Sequence, residues 1–565
     1  MDYNYNNLRL KIKSEKGKKL IQRVKKFYAE NYENTPLISL TYSKFKMICT
    51  TGNRSEYEAE LNQRTARWSN LIILALDEDK YIIELEDVLA AICDEFSWTL
   101  PAHSVIDREK GAFDYSFIDL HAAHMAFFLS ETMEVFGEKL SSDICERIRY
   151  CIKTKIIDNF ENGKFWWEDV KGSNWAAVCA GGIGIAYIYT FPERFPLVEG
   201  RIFAALETYT EGLREDGFCE EGVDYCVYGL GFLLDFVDIF LQKYGYMPEF
   251  MQTAKKKILA LLDYYMNGIL DGRYLPFGDV STEEVTDYPV QDLVFKKLFP
   301  DNFKPADYDY CDKAPLDLSV LSAVRLVDGI DRFKESERRC NEASFTKFYK
   351  SEGMFLYQNA SYAFAAKGGD NGILHNHNDA GSFILSVKGK RIVADPGAGK
   401  YTLDYFNPDK RYGDKIFVCG SQAHSVPIVG GAYQKYGKQY AAKVLNVSEK
   451  SVSFDISQAY GLKKNTLKVT YECREKDLSV DYEFVSEKKT NVTFRFVSDF
   501  EPYFKDGRLF IEETEIVYDK ICSISIGKRE YEPKTITKAK TAYLLDFTLK
   551  DCDRIGLNFC FKTCG

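Results

Sequence analysis

Histidine is scarce in this chain, with six among 565 residues. Several familiar catalytic signatures are missing altogether. There is no HExxH, no P-loop and no dinucleotide fingerprint. The glycine-rich GGIGIA at 181–186 has no strand before it, so it reads as close helix packing. A GxSxG nucleophile elbow is also absent. Phosphate chemistry and serine hydrolase chemistry are therefore poor candidates. The fifteen cysteines are odd in number, with no CxxC pair and no regular spacing. They are expected to be reduced, buried thiols. No apolar run approaches the ~20 residues of a membrane span. The longest, around Leu71–Leu76, stops at Asp77. The opening MDYNYNNLRLKIKSEKGKKL lacks the apolar core of a signal peptide, so a cytoplasmic location is expected. A basic excess is missing too, since 84 acidic residues face 74 basic ones for a net charge of −10. That argues against a nucleic-acid partner, and no membrane partner is expected. Nothing decides the oligomeric state, and a homodimer stays open.

What is present is aromatic. Tyr and Phe number 38 and 40, and aromatics make up 15% of the chain. Such faces fill cores, and they also line carbohydrate or apolar clefts. The length calls for two or three domains. Before about residue 335 the apolar period is helical. Leu85, Val88, Leu89, Ile92, Cys93 and Phe96 fall on one helix face. Similar patterns recur through Ile118–Phe136, Trp175–Tyr189 and Val223–Phe240. After about residue 345 the period becomes two, as in Leu478, Val480, Tyr482 and Phe484, then Val492, Phe494 and Phe496. The charged stretch KESERRCNEAS at 334–344 marks the junction. The expected organisation is an all-helical domain over 1–338, then an all-β domain over 339–565. Helices first and strands second argue for two architectures rather than an α/β sheet.

The densest chemistry is HNHNDAGSF, from His375 to Phe383. His377, Asp395 and His424 together offer two imidazoles and a carboxylate, a set suited to Zn²⁺ or another divalent metal. Hydrogen-bonded core residues would read the same way. Phe383, Leu385 and Val387, then KGK, then Ile392 and Ala394 form a hairpin pattern centred near Gly389, with Asp395 opposite Phe383. His377 lies about 20 Å from Phe383 if the strand simply continues. A metal site therefore requires HNHND to be a loop that folds back at Asp379-Ala380-Gly381, where Gly381 suits the bend.

The segment GILHNHNDAGSFILSVKGKRIVADPGAGKYT (372–402) resembles the heparinase II/III-like domain of several polysaccharide lyase families. Weaker likenesses lie upstream in WTLPAH (98–103) with IDL (118–120), KGSNW (171–175), REDGFCEEGVDYCVYGLG (214–231) and PFGD (276–279). The resemblance implies an amino-terminal (α/α) toroid and a carboxy-terminal antiparallel β-sandwich. It implies β-elimination at a uronic acid, leaving an unsaturated uronate, with an anionic oligo- or polysaccharide as substrate. Glycosaminoglycan-type substrates such as heparan sulfate, hyaluronan or chondroitin come first, and alginate-type substrates second.

The roles follow from the same likeness. Asn174 matches the position that neutralises the substrate carboxylate. Tyr225 and Tyr228, three apart on an expected helix, are the candidates for the base, and the family spacing from Asn174 selects Tyr228, which is expected to serve as both base and acid. Tyr225 is then a substrate contact. His375 matches the catalytic histidine. His377, Asp395 and His424 match the ligands of a divalent ion, zinc first with manganese or calcium as alternatives, whose role is mainly structural. His103 matches a histidine at the cleft rim. Trp175 stacks on a sugar or packs in the core. Arg67 and Arg108 are candidates for a basic pocket or for surface ion pairs. His121 and His124 read as satisfied helix histidines. Two other functions compete: an inverting glycoside hydrolase using Asp216, Glu220 and Glu221, and a non-catalytic glycan-binding protein.

Overall fold

The computed structural model describes residues 3–104, 106–107, 112–270, 272–282, 291–302, 320–330, 344–413, 415–519, 521–534 and 538–563. Most of the charged junction, 334–343, lies outside them, as does Arg108. The chain divides into two compact units. The first comprises Met1–Leu213, Cys226–Leu262 and Thr286–Arg339; the second comprises Arg214–Tyr225, Asp263–Val285 and Cys340–Gly565. The second unit thus draws two segments from the helical half of the sequence.

The first unit is helical. Its longest helix, Ser55–Asp77, contains the apolar run and buries every residue from Ala66 to Leu76. In the helix Ile82–Cys93, Leu85, Val88, Leu89, Ile92 and Cys93 are buried as the periodicity demands. Phe96 departs from that pattern. The helix stops at Cys93, and Phe96 is 44% exposed. It packs instead against Tyr42, Phe45, Phe113 and Tyr115. The helix Leu120–Phe136 starts where Asp119 accepts a hydrogen bond from the backbone N–H of Ala122. It packs on the helix Asn174–Thr190, which packs in turn on Phe195–Gly212. The helix Val320–Gly329 returns to Tyr5–Lys13 and Ser55–Asp77. It carries Arg325, whose buried guanidinium donates to Glu131 at 2.7 Å and to Asp235 at 2.9 Å. Three helices are thereby joined through one cation. Among the described residues no helix is long and apolar enough to cross a membrane.

The second unit is built on antiparallel sheets. A five-stranded sheet runs in the order Lys390–Val393, Phe383–Val387, Ala363–Ala366, Met354–Gln358, Phe345–Tyr349. Its three middle strands are buried along their whole length. The expected hairpin turns at Lys388 and Gly389, which take φ of 51° and 77°. Positive φ at both turn residues matches the twist of the strands they join. A bulge after Arg391 sets Val393 opposite Leu385, and the ladder ends there, two residues short of Asp395. A second, larger sheet contains the long strands Asp477–Ser498 and Lys540–Thr563. Leu478, Val480, Tyr482 and Phe484 are buried as their alternation requires. Residues of both sheets, among them Phe364, Phe383, Tyr471, Phe496 and Phe561, share one core, which makes this unit a sandwich. The described cysteines are free thiols.

The glycines of GGIGIA are packing residues. A Cβ on Gly182 would lie 2.8 Å from the carbonyl oxygen of Ala123, and one on Gly181 would lie 2.9 Å from that of Phe232. Alanine gains about 1 kcal/mol of helix propensity over glycine. Overpacking against backbone costs about 1–3 kcal/mol, and neither carbonyl can rotate away. Gly182→Ala is therefore expected to lower unfolding stability by about 1 kcal/mol or more, measured by denaturant titration. A more stable variant would show that the helices are not in the close contact described.

Candidate active site

HNHND is a loop. Strand order ends at Asn371 and resumes at Phe383, and Gly381 takes φ of 84° at the bend. The backbone N–H of Gly381 donates to the carbonyl of Lys367 at 2.8 Å. The bend is also locked by charge: Lys367 Nζ lies 2.6 Å from Asp379, both buried. His375 adopts a left-handed backbone with φ of 56°, rare for a residue with a Cβ.

The residue that organises this loop is Asp279, the last residue of PFGD. Its buried carboxylate accepts from Nδ1 of His375 at 2.8 Å and from Nε2 of His377 at 3.1 Å. Arg411 donates to both its oxygens at 2.9 and 3.0 Å, and the hydroxyl of Tyr405 also donates to it. Burial alone would raise its pKa. The Arg411 guanidinium and the two imidazoles outweigh burial and hold the carboxyl well below the usual range. A carboxylate can only accept, so it fixes the hydrogen of each imidazole on the nitrogen that faces it. Gly278 allows the approach: its φ is 74°, and a Cβ there would lie 2.6 Å from the carbonyl oxygen of His375. The sequence places PFGD in the family pattern but assigns Asp279 no role. It lies 96 residues before His375, with no local signal of contact.

His377, Asp395 and His424 do come together. One ligand atom from each lies within 4.8 Å of the others, and all three residues are buried. Nδ1 of His424 faces Asp395 at 2.7 Å. That leaves Nε2 of His424 and Nδ1 of His377 as buried nitrogens without a hydrogen-bond partner. Burial pushes His377 below its ordinary pKa and keeps it neutral, the form that coordinates a metal. Asp279, His377 and Cys419 form a second possible grouping. It is the poorer donor set, because burial pushes the Cys419 thiol up to about 12 and Asp279 already accepts from four side chains. Two orphaned imidazole nitrogens beside a carboxylate fit a divalent cation, with Asp279 orienting His377 from behind.

Tyr225 belongs to the same unit. Its ring stacks on His375, with centroids 4.2 Å apart and planes inclined by 17°. Its hydroxyl lies 2.7 Å from that of Tyr401.

The first unit holds a separate group. Asn174 opens the helix Asn174–Thr190 and is buried. Gly229 passes close to it; a Cβ there would lie 3.0 Å from Cβ of Asn174. The Tyr228 hydroxyl lies 2.5 Å from Nε2 of His124. His124 is half-buried, stacks on Phe232 at 4.5 Å, and is pushed well below its ordinary pKa by desolvation and by His121 and His103. A neutral imidazole accepts, so the phenol donates to it. His124 is thus satisfied, and the group that satisfies it is the candidate base, 104 residues away. His121 fits the reading of a satisfied helix histidine only in part: its Nδ1 meets the carbonyl of Trp98 at 2.7 Å, while its Nε2 has no hydrogen-bond partner among the described residues. His103 is held by Asp119 at 2.8 Å and meets the edge of Trp175 at 5.0 Å. Trp175 also packs against Trp166, which is 49% exposed.

Other candidates are already engaged. Arg67 is buried, bound to Glu84 and to the carbonyls of Thr35 and Pro36. Asp216 accepts from the backbone and hydroxyl of Ser351, and Glu220 pairs with Arg214. Neither arrangement resembles the facing carboxyl pair of an inverting hydrolase.

Residues 345–507 match the family model described as Heparinase II/III-like, C-terminal. No curated protein matches the chain. Solved structures do. Heparinase III aligns at a TM-score of 0.61 and 13% identity, covering 96% of this chain and 92% of that one. The heparan sulfate lyase HepC of Pedobacter heparinus aligns at 0.58 and 12%, covering 97% and 87%. A mutant form of the chondroitin AC lyase of Streptomyces coelicolor aligns at 0.57 and 10%, covering 99% and 82%. At these identities the likeness shows the fold: a helical (α/α) toroid followed by an antiparallel β-sandwich.

Removing the central carboxylate strands a cation. Arg411 is buried, and its one carboxylate partner among the described residues is Asp279. Breaking such a pair costs about 3–5 kcal/mol. Asp279→Ala is expected to lose stability on that scale in denaturant unfolding. A loss under 1 kcal/mol, about the worth of an exposed pair, would contradict the buried arrangement.

Proposed function

The carboxy-terminal region of this chain is heparinase II/III-like, and we propose that the whole protein is a lyase that cleaves uronic-acid glycans by β-elimination. The observation that carries this reading is the Tyr228 phenol bound to a half-buried, neutral His124. A free Tyr has a pKa of ~10, so it becomes a base only where another group accepts its proton. His124 is such a group.

The chemistry can be written in full. The C5 proton of a uronate is weakly acidic while the adjacent carboxylate is charged. The Asn174 amide and His375 donate hydrogen bonds to that carboxylate and stabilise the enolate-like transition state; one such donor is worth about 3 kcal/mol in a preorganised site. Tyr228 takes the C5 proton as its own passes to His124. The C5–H electron pair becomes the C4–C5 double bond, the C4–O bond breaks, and the leaving oxygen takes a proton. His375 suits its part because Asp279 fixes its hydrogen on Nδ1, which leaves Nε2 to face the substrate. His103 and Trp175 border the sugar in this reading.

His377, Asp395 and His424 would hold the divalent ion, which we take to be zinc on the strength of its two imidazole donors. The ion's contribution is structural, tying HNHND to Asp395 and His424. Among substrates we favour glycosaminoglycan-type chains, with alginate-type chains second. The tyrosine–histidine pair favours elimination over hydrolysis, which needs two facing carboxyl groups.

An unsaturated uronate absorbs in the ultraviolet, so a panel of uronic-acid oligosaccharides tests the reaction directly. Rising absorbance is expected with at least one of them. New reducing ends without absorbance would identify a hydrolase, and binding without either a non-catalytic protein. Tyr228→Phe should lower kcat about 10²–10⁴-fold, the usual span for a general base. Activity lost in Tyr225→Phe but kept in Tyr228→Phe would move the base to Tyr225.

Metal content is a separate measurement. The purified protein is expected to carry about one divalent ion per chain, and His377→Ala and His424→Ala to lose it. Unchanged content in both variants would remove the metal site.

A further inference from the structure

The sugar oxygen that leaves at C4 also needs a proton, and the second unit holds a group built to give one. Tyr225 offers its hydroxyl between two partners, Tyr401 at 2.7 Å and Nζ of Lys534 at 3.4 Å. Lys534 Nζ lies 5.0 Å from the centre of the Tyr225 ring and 4.7 Å from that of Tyr401. The backbone holds the cation in place. The N–H of Lys534 donates to the carbonyl of Ala398 at 3.0 Å, and the N–H of Lys400 donates to the carbonyl of Glu532 at 2.9 Å. Lys534 is therefore fastened to the turn that carries Tyr401.

Among the described residues no carboxylate comes within ion-pair distance of Lys534, and its one side-chain hydrogen bond goes to Tyr225. Burial would discharge such an ammonium, yet the fields of Tyr225, Asp224 and Asp279 outweigh burial and keep it charged. The phenol beside it is neutral at rest, because burial raises its pKa. When its proton leaves, Tyr225 acquires a negative charge beside this ammonium. A cation fixed beside the oxygen that becomes charged stabilises the transition state more than the neutral ground state.

We propose that Tyr225 protonates the departing glycosidic oxygen, with Lys534 and Tyr401 as its positioning residues. This rests on the elimination reading above. The Tyr225 O–H bond breaks, the proton goes to the oxygen that takes the C4–O electron pair, and the phenolate is left facing the Lys534 ammonium. Tyr228 and His124 hold the C5 proton. Exchange with water returns that proton to solvent and restores the one lost from Tyr225, so no other reactant is required. Two tyrosines three residues apart then divide the work: one accepts the proton and the other supplies one.

Leaving-group dependence tests this. Wild type, Tyr225→Phe and Lys534→Met would be assayed on two uronides, one with a sugar at C4 and one with a 4-nitrophenoxy group that departs without protonation. On the sugar substrate Tyr225→Phe is expected to lose about 10²–10⁴-fold in kcat, the span of general acid catalysis, with KM little changed. Lys534→Met should lose less, in the same direction. On the nitrophenoxy substrate both variants should approach wild type. Equal losses on both substrates, or none on either, would overturn the assignment. If Tyr225→Phe does not fold, judged by circular dichroism, the two-substrate comparison on Lys534→Met decides the matter by the same criterion. A wild type that forms no unsaturated product from either uronide removes the elimination reading and this inference with it; equal losses in an active enzyme remove this inference alone.

Discussion

One buried carboxylate governs the chemistry of the second unit. Asp279 receives hydrogen bonds from His375, His377, Arg411 and Tyr405. An unpaired carboxylate at that depth would be neutralised by desolvation. Arg411 keeps it ionised, and the ionised form dictates which nitrogen of each histidine carries hydrogen. Because Asp279 faces His375 with one oxygen and His377 with the other, it gives adjacent histidines different free nitrogens: Nε2 on His375 and Nδ1 on His377. A loop of three residues thus serves two sites from a single anchor.

The first unit tunes its histidine by the opposite means. His124 takes its hydrogen bond from a phenol rather than a carboxylate, and its ring lies against Phe232 and Phe128. Apolar surroundings keep it uncharged, and an uncharged imidazole is what a phenol needs as an acceptor. Charge in one place and its exclusion in the other lead to complementary tasks: donation to a carboxylate from His375, and acceptance from Tyr228 by His124.

Much of this was legible in the chain, for reasons that differ by residue. Leu85 to Cys93 and Leu478 to Phe484 declare helix and strand because burial selects a face and the backbone fixes the period. The bend at Gly381 was legible because His377 had no other path toward Asp395 and His424, and the close approach of those residues follows from it. Phe96 was misread because periodicity does not mark where a helix stops; Asp94 ends it two residues earlier. The contacts of Asp279 and His124 were missed because each meets its partner across about a hundred residues. Lys534 carried no signal at all, since it meets the Tyr225 hydroxyl from 309 residues away.

The membership of Asp279 in the second unit has a consequence for how the gene can be divided. The compact sheet region includes Arg214–Tyr225 and Asp263–Val285 as well as everything after Cys340. A fragment cut at the apparent border would contain Arg411, His375 and His377 but not the carboxylate that neutralises and orients them. It would also lack Tyr225, whose hydroxyl meets Tyr401 and Lys534. The border visible in composition is therefore not a border of autonomy. Division at that point would give a β-sandwich without its charge balance.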